Sequence, residues 1–175
     1  VRLFRITQQL DRAAAFDGVG SSLYPGRWNE RTQRVIYTTS RISLGILEII
    51  VQSSGAPLVG YVAYPLDVPS EALAVFDRSL LSRTWRSADA GRAECRVHAE
   101  RWRDAGSTTG LIVPSAVVPE AYDSGEFNVV LNPLHTDFAR ATFEDAIPLD
   151  VDSRLQPVVS PLPSQPRRRR GVKVR

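Results

Sequence analysis

Methionine is absent from this 175-residue chain, cysteine and lysine occur once each, and histidine occurs twice. The lone thiol, Cys95, cannot close an internal disulfide. No N-terminal stretch combines a charged start, an apolar run and a small-residue cleavage site, so a reducing cytoplasm is the expected setting. One cysteine with His98 and His135 does not complete a structural zinc site, and no metal is expected. With no methionine even at position 1 and arginine used for nearly every base, Val1 reads as a non-standard start in a GC-rich gene. The longest apolar run, Ile46 to Val51, is interrupted by Glu48. It falls well short of the roughly 18 to 20 residues that cross a bilayer, which removes the membrane reading. Several catalytic signatures are missing as well: the phosphate-binding Walker loop, G-x-G-x-x-G, the G-x-S-x-G elbow and H-E-x-x-H.

What is present suits one domain. Hydrophobic residues make up 43% of the chain, and 22 Lys and Arg face 19 Asp and Glu. Six of those bases lie in Arg167–Arg170, Lys173 and Arg175, leaving 16 bases against 19 acids, or −3, in residues 1–166. The high isoelectric point therefore belongs to the C-terminus. Residues 1–155 alternate short apolar runs with turn signals and are expected to form the folded domain. Residues 156–175, with four prolines and four consecutive arginines, hold too little apolar surface to offset ordering entropy and are expected to be a disordered tail.

Within the body, 2–6, 34–38, 58–65, 110–113 and 128–131 read as strands, with weaker strand signals around Phe76 and over 146–151. Ile42, Ile46, Ile49 and Ile50 recur at helical spacing, so 41–52 reads as a helix with Ser40 or Ser43 as its N-cap. A second helix, 91–105, would place Cys95, Ala99 and Trp102 on one face. Strands outnumber helices without alternating regularly with them, which predicts an α+β fold rather than a doubly wound sheet.

Six positions could carry chemistry. In Tyr24-Pro25-Gly26-Arg27-Trp28-Asn29 a tight turn sets a guanidinium beside an indole; the fork of Arg27 suits phosphates, and the competing reading is a surface turn anchored by a buried Trp28. Glu48 is the only charge within Leu44 to Val51. A carboxylate there needs either water or a partner, and the stripe Arg41, Gly45, Glu48, Gln52 offers a solvated face as the alternative, with Gly45 leaving room for a ligand. Ser115 follows Val113-Pro114 at a strand end, where its hydroxyl serves either a sugar or nearby backbone. Tyr37, at another strand end, is a stacking platform or a half-buried aromatic. Cys95 and His98, three residues apart on a helix, could pair as nucleophile and base, against the reading of ordinary packing. His135 reads as a hydrogen-bonded structural residue.

The order of these signals resembles the RES-domain family, the toxin half of RES-Xre toxin–antitoxin pairs. The stretches that carry the resemblance are Phe4-Arg5-Ile6, Asp17-Gly18-Val19-Gly20, Gly26-Arg27-Trp28-Asn29, Val35-Ile36-Tyr37-Thr38, Leu44 to Val51, Val113-Pro114-Ser115 and Asn128 to His135. The resemblance implies an ADP-ribosyltransferase-like α+β fold, a mixed β-sheet core with flanking helices, that takes NAD as substrate and breaks its nicotinamide–ribose bond by hydrolysis or phosphorolysis, or transfers ADP-ribose to a protein. On that likeness Glu48 would stabilise the ribosyl cation, Arg5 and Arg27 would grip the diphosphate, Tyr37 would stack near the nicotinamide, and Ser115 would position its ribose. Trp28 and Asn29 would support the loop. An Xre-type helix-turn-helix antitoxin is the implied partner, a homo-oligomer is left open, and nucleic acid would be met only through the antitoxin or the tail. Pro25 departs from the family pattern, which often has a second glycine before Gly26, and the arginine tail lies outside the family core. The competing class is a binding module that uses Arg167–Arg170 on an acidic partner.

Overall fold

The computed structural model describes residues 1–53 and 56–155, so the expected tail lies outside the described residues. The expected α+β class is what the chain adopts. One eight-stranded sheet runs β4-β5-β6-β2-β1-β3-β7, with β8 also on β3. Its strands are β1 (Arg2–Thr7), β2 (Ile36–Thr39), β3 (Val62–Asp67), β4 (Leu73–Val75), β5 (Gly110–Val113), β6 (Asn128–Leu131), β7 (Thr142–Phe143) and β8 (Ile147–Pro148). All neighbours are antiparallel except β4 and β5. The helices are α1 (Arg12–Ala15), α2 (Val19–Leu23), α3 (Ile42–Gln52) and α4 (Ala90–Ala105). No helix among the described residues is long and apolar enough to cross a membrane.

Period-2 alternation divides the core between the two faces of the sheet. On β6, Val129 and Leu131 join Leu3, Phe16, Ile36, Tyr64 and Leu66 on one side. Val130 joins Trp28, Val35, Leu111, Val113 and the buried stripe of α4 on the other. That stripe is Cys95, Ala99 and Trp102, as its spacing predicts.

Several boundaries differ from the expectation. The second strand begins at Ile36, because Val35 is tied through both its N–H and its carbonyl to the Ser21 hydroxyl. The third begins at Val62; Val59 gives its carbonyl to the Gln8 amide instead of a ladder, and Leu58 closes an apolar gap with Ile46 and Ile49. Only Ile147–Pro148 of the expected 146–151 strand pairs with β3, since Leu149 and Val151 turn into that same gap. Neither Ser40 nor Ser43 caps α3. Arg41 holds the cap position without a side-chain bond, while the Ser40 hydroxyl accepts from Phe127 N at 2.9 Å and so clips the start of α3 to β6.

Gly45 sets how closely α3 approaches the sheet. A Cβ at that position would lie 2.4 Å from Ile6 Cδ1 and 3.0 Å from Thr39 Oγ1. A bare backbone is what lets the helix settle against β1 and β2 with Glu48 one turn further along.

Candidate active site

Three chain segments converge at one end of the central strands. Register pairs Asn128 with Thr39 on β2 and with Val113 on β5. Two residues beyond Val113 comes Ser115, and α3 departs shortly after Thr39, carrying Glu48 back over the same spot. The Ser115 hydroxyl donates to Glu48 Oε1 at 2.7 Å. The Asn128 amide donates to the same oxygen at 2.7 Å. Ser115 is fully buried, and its oxygen also accepts from the N–H groups of Val117 and Val118, both at 3.0 Å. Of the two sequence readings of Ser115, the contact with nearby backbone is the one the structure contains: neighbouring N–H groups hold the oxygen, and the hydrogen goes to the carboxylate. As it stands the hydroxyl orients Glu48 rather than reaching out to a sugar.

The stripe of Glu48 is mixed: Arg41 and Gln52 are exposed, while Glu48 is half-buried. Gly45 beneath it is buried, and Gly45, Glu48 and Gln52 line a cleft of about 940 Å³. This volume falls within the range of small-molecule sites. Arg5, Arg27, Arg86 and Arg92 also line it, and Glu48 is the one carboxylate among its lining residues. The charge of the cleft therefore favours an anionic ligand with a cationic portion near Glu48.

The opposite wall is built around Arg27. Its guanidinium donates to the carbonyls of Trp85 (2.7 Å), Arg86 (3.1 Å) and Ser87 (3.2 Å) and lies 5.8 Å from the Trp85 ring centroid. Three of an arginine's five N–H donors are so engaged, and the guanidinium also lies within hydrogen-bonding reach of the Cys95 thiol. Trp28 is the buried anchor, its ring edge-on to Phe76. Asn29, also fully buried, accepts from Gly26 N and the Tyr37 hydroxyl at 2.8 Å each and donates to the carbonyls of Ser21, Glu30 and Gln33. Arg96 closes the turn from outside through the Gly26 carbonyl and Glu30.

Tyr37 lines the cleft with its hydroxyl fixed between Asn29 and the Trp28 N–H. Burial pushes this phenol well above its ordinary range. Its ring explains Gly26: a Cβ there would sit 2.5 Å from the Tyr37 hydroxyl and 2.7 Å from Cζ. Arg5 reaches the Tyr37 carbonyl at 3.1 Å, and its Nε is buried without a partner among the described residues. Burial weakens its hold on its proton, an effect that nearby Asp17 opposes.

The structure thus brings Arg5, Arg27, Tyr37 and Glu48 to one cleft, with Ser115 immediately behind it. Sequence reasoning did not single out Asn128, Arg86 or Arg92. Asn128 had a usable signal, a polar residue opening an apolar strand, but its neighbours depend on strand register. Nothing in the sequence marks Arg86 or Arg92. The Cys95–His98 pair does not form: Cys95 is fully buried, burial pushes its thiol up to about 11, and His98 instead lies edge-on to Phe76. His135 bonds the Gly106 carbonyl and Asp137 N, as a structural residue should. Among the described residues no three His, Cys, Asp or Glu side chains gather in a way that could hold a metal ion.

Comparison with known proteins adds family and fold. The family model described as RES domain matches residues 2–152. A protein of Photorhabdus laumondii named Toxin Res is 29% identical over 155 residues, covering 87% of this chain and 96% of that one. One from Sphingobium sp. named Prs ADP-ribosylating toxin is 35% identical over 125 residues, covering 69% and 73%. Among solved structures, the M. tuberculosis MbcT–MbcA toxin–antitoxin complex contains a chain that superposes with a TM-score of 0.67 at 16% identity, covering 85% of this chain and 83% of that one.

Proposed function

The chain belongs to the RES-domain family, and from that premise we propose that it is a toxin that consumes NAD by cleaving the bond between nicotinamide and ribose. The observation that carries this reading is the pairing of one oriented carboxylate, Glu48, with four arginines in a single cleft. NAD offers the matching charges: a diphosphate for the guanidinium groups and a cationic pyridinium ring joined to ribose.

When the C1′–N bond breaks, its electron pair goes to the ring nitrogen, so nicotinamide leaves neutral and positive charge passes to the ribosyl carbon. A fixed carboxylate beneath that carbon gains more from the transition state than from the ground state, which is the condition for acceleration. Glu48 is that group, held ready by Ser115 and Asn128. The remaining donors of Arg27, with Arg5, hold the diphosphate, and the Tyr37 ring covers the nicotinamide side. In hydrolysis, water adds to C1′ and releases its proton to solvent; in phosphorolysis, phosphate takes that place. The reaction would run in the cytoplasm, where NAD is abundant.

A second reading, transfer of ADP-ribose to a protein, draws on the Sphingobium relative's name. Incubating the purified protein with NAD, following free nicotinamide and weighing the ribosyl product separates the three acceptors. No nicotinamide release, with or without phosphate and cell extract, would end the proposal. Removing residues 167–175 should leave turnover intact; its loss would favour the tail-dependent binding module. By analogy with the toxin–antitoxin neighbour, we also propose a protein antitoxin, of the Xre type, that blocks the cleft. Co-purification with the product of an adjacent helix-turn-helix gene tests that partner.

A further inference from the structure

Building on the reading above, we infer that Asn128 is a positioning residue of the reacting centre: its amide holds the Glu48 carboxylate, and its carbonyl accepts a hydrogen bond from the ligand. The argument starts with donor bookkeeping. The Ser115 oxygen accepts from two backbone N–H groups, so its single hydrogen goes to Glu48 Oε1. The Asn128 amide gives a second hydrogen to the same oxygen. Two donors converging on Oε1 fix the rotamer of Glu48 and leave Oε2 with no hydrogen bond to the described residues.

The same bond fixes which way the Asn128 amide faces. A carboxylate oxygen accepts, so the NH₂ group must point at Glu48 and the carbonyl must point away from it. That carbonyl, Oδ1, is buried and has no partner among the described residues. A buried polar atom without a partner is costly and calls for an explanation. Asn128 lines the cleft, and a hydrogen-bond donor on a bound ligand would satisfy it. Beside a carboxylate placed under the anomeric carbon, two donors lie within reach of such a site: a ribose hydroxyl or the carboxamide N–H of the leaving ring.

Two measurements on the full chain test the inference. The Glu48 carboxyl is titrated by carbon NMR in wild type and in Asn128→Asp, which sets a second carboxylate against Oε1. Coupling between two adjacent carboxyls should make the Glu48 signal follow a two-step titration absent from wild type; superimposable titrations would overturn the positioning role. Rates of ring release from NAD, 2′-deoxy-NAD and nicotinic acid adenine dinucleotide are then compared in wild type and Asn128→Ala, with Asn128→Ser as the fallback if the alanine variant does not melt cooperatively. Wild type should prefer NAD over one analogue by about tenfold or more, and the variant should lose that preference. Loss of discrimination against the deoxy analogue assigns Oδ1 to the hydroxyl, and loss against the acid analogue assigns it to the carboxamide. Unchanged ratios for both remove the ligand contact. A wild type that acts on no dinucleotide would sink the functional reading and the ligand contact together, while the titration would still decide whether Asn128 sets Glu48.

Discussion

The two walls of the cleft are held by different kinds of bond. On one, side chains from three distant segments meet: Glu48, Ser115 and Asn128, with 67 and 80 residues separating the carboxylate from its donors. On the other, arginine and asparagine side chains grip main-chain atoms, Arg27 on the carbonyls of residues 85–87 and Asn29 across the turn from Ser21 to Gln33. The first wall places one charged group; the second fixes the path of a loop. Changes to the first should be felt in rate with little loss of fold, and changes to the second in stability before rate.

The sharpest break in that contrast is Glu48→Gln, which keeps shape while removing charge. Nicotinamide release should fall by about 10²- to 10³-fold, or ~2–4 kcal/mol of transition-state stabilisation, with an unchanged melting curve. A rate within a factor of two of wild type would remove Glu48 from the mechanism. Gly26→Ala attacks the second wall by driving a methyl group into the Tyr37 ring. It should cost ~1–3 kcal/mol in denaturant unfolding, the usual cost of overpacking.

Alkaline pH probes the apolar floor behind that wall. The Cys95 thiol is raised to about 11 from an ordinary 9.0, so the unfolded chain gives up this proton first as pH rises. Below about pH 9 both states hold the proton and the contribution is fully present; between there and pH 11 the unfolded state binds fewer protons and stability falls, by up to ~2 kcal/mol. The raised Tyr37 phenol acts in the same direction at still higher pH. Urea midpoints taken across that range should decline less steeply in Cys95→Ala. The smallest effect is a gain. Thr32 sits at φ 74, a left-handed conformation that suits a β-branched residue poorly. Thr32→Gly should stabilise by about 0.5 kcal/mol, after glycine's greater freedom in the unfolded chain is deducted, and leave turnover as it was.

What could be read from the sequence follows the same division. Strands β5 and β6 were legible to the residue because their apolar runs end at Pro114 and at Asn132-Pro133. The buried stripe of α4 was legible because Cys95, Ala99 and Trp102 keep helical spacing. Arg27, Tyr37 and Glu48 stood out by residue type and by resemblance. The role of Ser115 as a prop for Glu48 could not be seen, because it depends on how far β5 runs before turning back across α3. Asn128 was hidden for a related reason: only the pairing of Thr39, Asn128 and Val113 puts it beside the carboxylate. Ser40 was misread as a helix cap because local sequence cannot show that Phe127 competes for its hydroxyl.

The long sequence separation between Glu48 and its two donors has a consequence for synthesis. A ribosome that has just released Glu48 must add 80 further residues before Asn128 exists, which at ordinary elongation rates takes roughly 4 to 16 s. Until then the carboxylate lacks one of its two donors, the Ser115 hydroxyl being made 13 residues earlier, so a half-made chain cannot hold the carboxylate in its final orientation.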